Sequence, residues 1–322
     1  MTLFYYRGRH FGDDLNPWIW GALAPELLDD THDALFLGIG TLINSNVPAA
    51  PKRIVFGTRV GCMEPALIDH RWQFYCARGP HSAQSLGLDK SLAITDPAVL
   101  LTQIVDEPFV SHNKICYMPH HASLLRANWA EISEKAGLVF LDPTAGAKAT
   151  VQTIRGARLV LSAAMHGAIV ADAFRVPWTP IVAYGHILGF KWEDWCQSLG
   201  MPYQPRTIAS LWDTDRNRPL SHRAKDTLNH GLKKAGIWSH NWTLPVPGPD
   251  MRCLEGTVIT QLTHLANGDH AFFSDDRYHH GTLERHLEKL ERLRKDASAS
   301  IGVPAFGRAG LLPHERPQKF HR

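Results

Sequence analysis

Short apolar runs, broken by polar segments rich in Gly and Pro, set the pattern of this chain, and run length separates strand from helix. Residues 3–6, 34–37, 53–56 and 73–76 are runs of four, rich in aliphatic and aromatic side chains, and predict buried strands. Between them a helix is predicted over 17–28, with Pro17 in its first turn and Asn16 as a cap. A short helix over 80–86 ends at Gly87, a further strand is predicted at 92–94, and Asp96-Pro97 opens a turn or helix. After a polar break at Asp106-Glu107-Pro108 the rhythm restarts: strands at 114–118, 138–141, 158–162 and 179–182 alternate with helices at 125–136, 147–155 and 165–174. Strands alternating with helices imply parallel sheets. Two such runs predict an α/β chain of two Rossmann-like domains facing a cleft, residues 1–110 and 111–270. Beyond Ala183 the chain turns helical and Trp-rich. Leu283, Leu287 and Leu290 share one face of an amphipathic helix over 282–295, with Glu288→Arg292 and Glu291→Lys295 as i,i+4 pairs. Residues 271–322 are therefore a helical extension with a tail, and 313–322 are expected to be mobile.

Composition narrows the class. At 322 residues, 44% hydrophobic and 20% charged, the chain can bury ordinary globular cores without a disulfide or metal staple. Five cysteines, an odd number with no CxxC pair, point to a reducing, cytoplasmic compartment. The N-terminal apolar run stops at Arg7 and reads as a strand rather than a leader, and no run reaches the ~18–20 residues of a membrane span. The net charge of +3 is uneven: residues 283–322 hold nine Lys/Arg against five Asp/Glu, leaving the rest at −1. That places no basic surface for nucleic acid on the folded part. The basic tail is either a solvated helix end or a peripheral contact with the inner face of a membrane. Nineteen histidines form no HExxH or Cys/His zinc spacing, so no metal is expected.

Ligands of open α/β sheets sit beyond the carboxyl ends of strands, which directs attention to four segments. In Leu161-Ser162-Ala163-Ala164-Met165-His166-Gly167 a buried strand runs straight into a helix. His166 falls in its first turn, where N–H groups favour an anion and disfavour imidazolium, and Gly167 permits close approach. The residue serves either as acid/base or as a helix cap. Arg78, after the strand at 73–76, either clamps a carboxylate or phosphate through paired N–H groups or forms a salt bridge at the sheet edge. Gly38-Ile39-Gly40-Thr41 lacks the third glycine of a dinucleotide fingerprint and any Walker lysine, and suits a close-approach loop. Asp13 either accepts hydrogen bonds from sugar hydroxyls or caps the next helix. Beyond these, His120 closes the first strand of the second run, and Lys191 stands among aromatics in Gly189-Phe190-Lys191-Trp192.

Together these segments carry a resemblance. Phe11-Gly12-Asp13-Asp14-Leu15, the 38–41 loop, Ala77-Arg78-Gly79-Pro80-His81-Ser82, Thr95-Asp96-Pro97-Ala98, Pro119-His120, the segment 162–172 and Lys191-Trp192-Glu193-Asp194-Trp195 resemble, in order and spacing, the motif series of polysaccharide pyruvyl transferases, the enzymes decorating succinoglycan-type exopolysaccharides in particular. The resemblance covers about residues 3–200. It implies a GT-B-like fold, no cofactor and no metal. Phosphoenolpyruvate would be the donor, with a hexose of an exopolysaccharide, free or lipid-linked, as acceptor and a pyruvate ketal as product. On that reading His166 is the acid/base with His120 second. Arg78, Ser162, Gly167 and Lys191 bind the donor; Asp13, Gly40 and Thr41 bind the acceptor. One departure stands out: many members carry an arginine two residues before the histidine, and here that position is Ala164. A nucleotide-sugar glycosyltransferase of the same fold and a non-catalytic carbohydrate-binding protein are the competing readings.

Overall fold

A computed structural model describes residues 1–8, 10–31, 33–60, 66–211 and 251–301. It contains two parallel sheets. The first has the order β1 (Thr2–Phe4), β2 (Ala34–Leu37), β3 (Lys52–Phe56), β4 (Trp72–Cys76). The second joins β5 (Ile115–Met118), β6 (Val139–Phe140), β7 (Leu159–Ser162), β8 (Trp178–Val182) and β9 (Arg206–Thr207) in the order β6-β5-β7-β8-β9. β2, β5 and β7 are buried at every position, which is why each reads as an uninterrupted apolar run. The pleat sorts β2 and β3 between two cores: Phe36, Ile54 and Phe56 join a cluster that continues through Tyr117, Leu161 and Trp178 of the second sheet, while Leu35, Leu37 and Val55 pack with Trp72 on the far face.

The helices are α1 (Leu15–Leu23), α2 (Pro80–Ser85), α3 (Trp129–Lys135), α4 (Ala147–Arg155), α5 (Met165–Ala173), α6 (Gly189–Ser198), α7 (Met251–Asn267) and α8 (Asp276–Ile301). α5 is buried from Gly167 to Ala173. Its small residues let it lie against β7 and β8 on one side and the 3-10 turn Pro97–Gln103 on the other, so it joins the two halves. α8 returns from the C-terminal side to pack on β4 and the same 3-10 turn. Its expected face is seated, with Leu290 and Leu293 buried and Leu283 and Leu287 against the core. Polar ties fix it there, including Tyr75 Oη donating to Asp296 at 2.7 Å and Arg285 donating to the Ser91 carbonyl at 2.6 Å.

Several elements differ from the sequence expectation for local reasons. The first helix starts at Leu15 and ends before Pro25, which opens a separate 3-10 turn. Asn16 is thus inside the helix, not its cap. The expected strand at 92–94 is a 3-10 turn, Lys90–Leu92, capped by Asp89, followed by one isolated parallel bridge between Ala77 and Ala93. The expected helix over 125–136 divides into a 3-10 turn, His121–Arg126, and α3, because Asn128 caps a new start by accepting from Glu131 N. Among the described residues no helix is long and apolar enough to cross a membrane. Cys76, Cys116 and Cys196 are buried free thiols. Of the basic stretch 283–322, residues 302–322, with the end expected to be mobile at 313–322, lie outside the described residues.

Candidate active site

A cavity of about 420 Å³ opens where the carboxyl ends of both sheets meet. The first half supplies the loop after β1, with His10, Gly12 and Asp13, and the loop after β2, with Gly40, Thr41 and Asn44. The second half supplies His120 and His121 after β5, Ala163 to His166 after β7, and His186 and Lys191 after β8. Every strand that contributes does so through the residues just past its end, as parallel topology dictates.

The two loops of the first half are tied together by Asn16. Its amide donates to the Asp13 and Ile39 carbonyls at 3.1 and 3.0 Å, and its oxygen accepts from Ile39 N at 2.7 Å and Trp20 Nε1 at 3.1 Å. Gly40 has φ +123°, a conformation other residues avoid, and a Cβ there would stand 2.9 Å from Asp13 Oδ1. Burial raises the Asp13 carboxyl above the ordinary carboxylate range, against the lowering influence of His166, His10 and Lys191.

His166 is held from two sides. A Cβ at Gly12 would lie 2.0 Å from its Nδ1, so the glycine allows the first loop to press on the ring. On the other side Nε2 stands 3.4 Å from Asp96 Oδ2. Asp96 is fully buried and caps the following 3-10 turn, accepting from Ala98 N at 3.0 Å. Burial alone would push its carboxyl up, but His166 and Arg78 outweigh that and hold it below the usual range. The Arg78 guanidinium lies 3.7 Å from Asp96 and 4.0 Å from Asp194, with all three side chains shielded from solvent. Asp194 in turn accepts from the N–H groups of His81 and Ser82 at 2.9 and 3.1 Å, and from Ser82 Oγ at 2.5 Å. A buried line of alternating charge thus runs from α6 to His166.

Six of the nine residues expected at the site line the cavity: His166, His120, Lys191, Asp13, Gly40 and Thr41. Three do not. Arg78 was expected to grip a donor, but two buried carboxylates draw its guanidinium inward and it is wholly covered. Ser162 Oγ donates to the Ala164 carbonyl at 2.6 Å and shapes the turn into α5. Gly167 is buried where a Cβ would meet Ser162 Oγ at 2.4 Å and Met118 Sδ at 2.8 Å, so it serves packing. His120 sits among imidazoles, and burial followed by repulsion from His121 and its neighbours lowers it to about 3. It also accepts from Ala122 N through Nδ1 at 3.2 Å, so the neutral ring carries its proton on Nε2. Asp96 escaped the sequence reading because its cap role is genuine and exhausted its local signal. His10, His121 and His186 were within reach of the rule that inspects residues after strands.

The polysaccharide pyruvyl transferase family matches residues 64–186, a span that holds Arg78, Asp96, His120 and His166. The chain is 34% identical over 258 residues to the succinoglycan biosynthesis protein ExoV of Rhizobium meliloti (strain 1021), covering 78% of this chain and 77% of that one. No solved structure matches. With His166 and Asp96 inside the matched span, and the likeness to ExoV extending over most of the chain, the protein belongs to the polysaccharide pyruvyl transferase family and is a pyruvyltransferase.

Proposed function

We propose that the enzyme moves the pyruvyl group of phosphoenolpyruvate onto two hydroxyls of a hexose in an exopolysaccharide or its lipid-linked precursor, and that its two sheets form a GT-B-like pair around the reaction. The observation that carries this reading is the His166 imidazole, backed by a buried ionised carboxylate and set at the open N-terminus of α5 beside Lys191. An anionic donor is favoured there by the helix end and the ammonium. Asp96 favours the imidazolium that protonation of the donor's methylene requires.

His166 gives a proton to C3 of the enol, and positive character develops at C2. The first sugar hydroxyl adds to C2 and its proton returns to His166. The C2–O bond to phosphate breaks, the second hydroxyl closes the ketal, and its proton leaves with the phosphate. Asp13, on the acceptor side, lines the same cavity and relays hydroxyl protons there. Arg78 acts through Asp96 rather than on the donor. Residues 61–65 and 212–250 add nothing to this reading, being outside the described residues.

The test is phosphate release from phosphoenolpyruvate across a panel of saccharides and lipid-linked oligosaccharides, with mass spectrometry of products. A ketal-bearing product with stoichiometric phosphate is expected. Release that requires a nucleotide sugar instead, or saccharide binding with no release from any donor, would refute the donor assignment.

A further inference from the structure

Four imidazoles gather at one end of the cavity, and none of them has a part in the reaction as written. His10 comes from the loop after β1, His120 and His121 from the turn after β5, and His186 from the segment after β8. The ring centroids of His10 and His121 are 4.0 Å apart, those of His120 and His121 4.3 Å, and those of His120 and His186 4.9 Å. The stack is anchored by Tyr184, parallel to His186 within 12°, and by Ser123 Oγ, 3.1 Å from His186 Nε2. Lys191 of α6 faces the same group. Among the described residues no set of three or more His, Cys, Asp or Glu is arranged to hold a metal ion. The imidazoles are tilted against one another, at interplanar angles of 50°, 35° and 52°.

The charge environment of His120 and His121 is one-sided. The groups that act on His120 and His121 are each other, His10, His186 and Lys191, and none of them is an acid. An acid does act on members of the group: Asp13 interacts electrostatically with His10 and Lys191 as well as with His166. Burial and mutual repulsion keep His120 near 3 and His121 near 4, so both rings are neutral at rest. A small dianion placed among them would reverse the sign of every one of those repulsions.

We propose that His10, His120, His121 and His186, with Lys191, form the seat of the donor's phosphate, and that the phosphate binds there with uptake of protons by the cluster. The proposal rests on phosphoenolpyruvate being the donor. It gives the cluster a role in each half of the cycle. Neutral rings admit the phosphate without a standing burden of buried charge, imidazolium stabilises it as it leaves C2, and loss of the protons releases it. The same tetrahedral oxyanion chemistry is present in the diphosphate of a lipid-linked acceptor, but the cluster shares one cavity with His166, which must reach the donor's methylene.

The decisive measurement is calorimetric titration of the full chain with sulfate, which keeps two charges throughout the neutral range, in buffers of different ionisation enthalpy. About one proton taken up per sulfate is expected, with affinity falling ~10-fold per pH unit per proton as pH rises. His121→Gln and His186→Gln should each abolish part of that uptake, weaken sulfate ~10-fold or more, and raise the KM for phosphoenolpyruvate without raising that for the acceptor. Binding without proton uptake would overturn the proposal. So would variants that bind sulfate like the wild type, sulfate binding lost on chelation of metals, or a KM increase confined to the acceptor. Turnover of phosphoenolpyruvate with any of these results would leave the donor reading standing alone. Proton-linked sulfate binding in a protein that neither binds nor turns over phosphoenolpyruvate would sink the donor reading instead.

Discussion

Asp96, fully buried, and Asp13, half-buried, both act on His166, and their surroundings push them in opposite directions. Asp96 is stabilised in its ionised form by His166 and Arg78, and Asp96→Asn removes the charge that favours the imidazolium. Turnover should fall about 10²-fold with the donor KM little changed. A KM increase with kcat intact would show that Asp96 is not a positioning residue. Because its folded pKa is lowered, its share of stability is present above the ordinary carboxylate range and is lost as pH falls through the lowered value. Asp13 is the reverse case: its folded pKa is raised, so its ionisation costs stability, and the cost sets in as pH rises from the unfolded value through the folded one. Asp13→Asn should therefore raise Tm at neutral pH while lowering turnover, the pattern of a functional residue kept against stability. An unchanged or lower Tm would contradict that assignment. Arg78 and Lys191 should separate cleanly. Arg78→Ala strands two buried carboxylates and should cost about 3–5 kcal/mol of folding stability in denaturant titration. Lys191→Ala should leave stability nearly intact and weaken donor binding ~10-fold or more.

At the scale of elements, the loop carrying Gly12 is as much a part of the site as the helix carrying His166. Gly12→Ala places a methyl where the His166 ring lies, against backbone that Asn16 ties down. The ring must move off Asp96, so turnover should fall toward that of His166→Ala, itself expected to lose about 10²-fold or more. Circular dichroism and Tm should change little. Full activity of Gly12→Ala would mean that the ring is not fixed by this loop. This contact also marks the limit of what the chain discloses locally. α4 and α5 were legible nearly to the residue, because their small and apolar positions keep helical spacing between strands. The strands β2, β5 and β7 were legible because burial on both faces leaves a bare apolar run. The 3-10 turns Lys90–Leu92 and His121–Arg126 were not, since Asp89 and His120 each redirect the backbone by one side-chain hydrogen bond that leaves the hydrophobic pattern unaltered. Among the site residues, those just past strands could be found by topology. Arg78 was misassigned because its partners, Asp96 and Asp194, are distant in sequence and only the folded chain brings them together.

For the whole molecule, the issue is whether the two sheets are independent bodies or one. Three features couple them. One cluster of buried side chains runs from Phe36 and Phe56 to Leu161 and Trp178. α5 packs between its own sheet and the 3-10 turn Pro97–Gln103 of the first half, and the Asp194 of α6 supplies acceptors for the N-terminus of α2. Finally, α8 crosses back to cover β4, burying Leu290 at 1% exposure and His286 at 0%. If α8 acts as a brace, then weakening it should destabilise the second half as well as the sheet it touches. Leu290→Ala should cost about 2–5 kcal/mol, and the loss should appear in a single unfolding transition seen equally by Trp20 of the first half and Trp129 of the second, each followed as its own fluorine resonance in the 5-fluorotryptophan-labelled protein. The cavity lies between the halves, so turnover should vanish along that same transition. Two separated transitions, with only the Trp20 signal shifted by Leu290→Ala, would show that the sheets fold apart and that the active site is assembled by docking of two independently stable units.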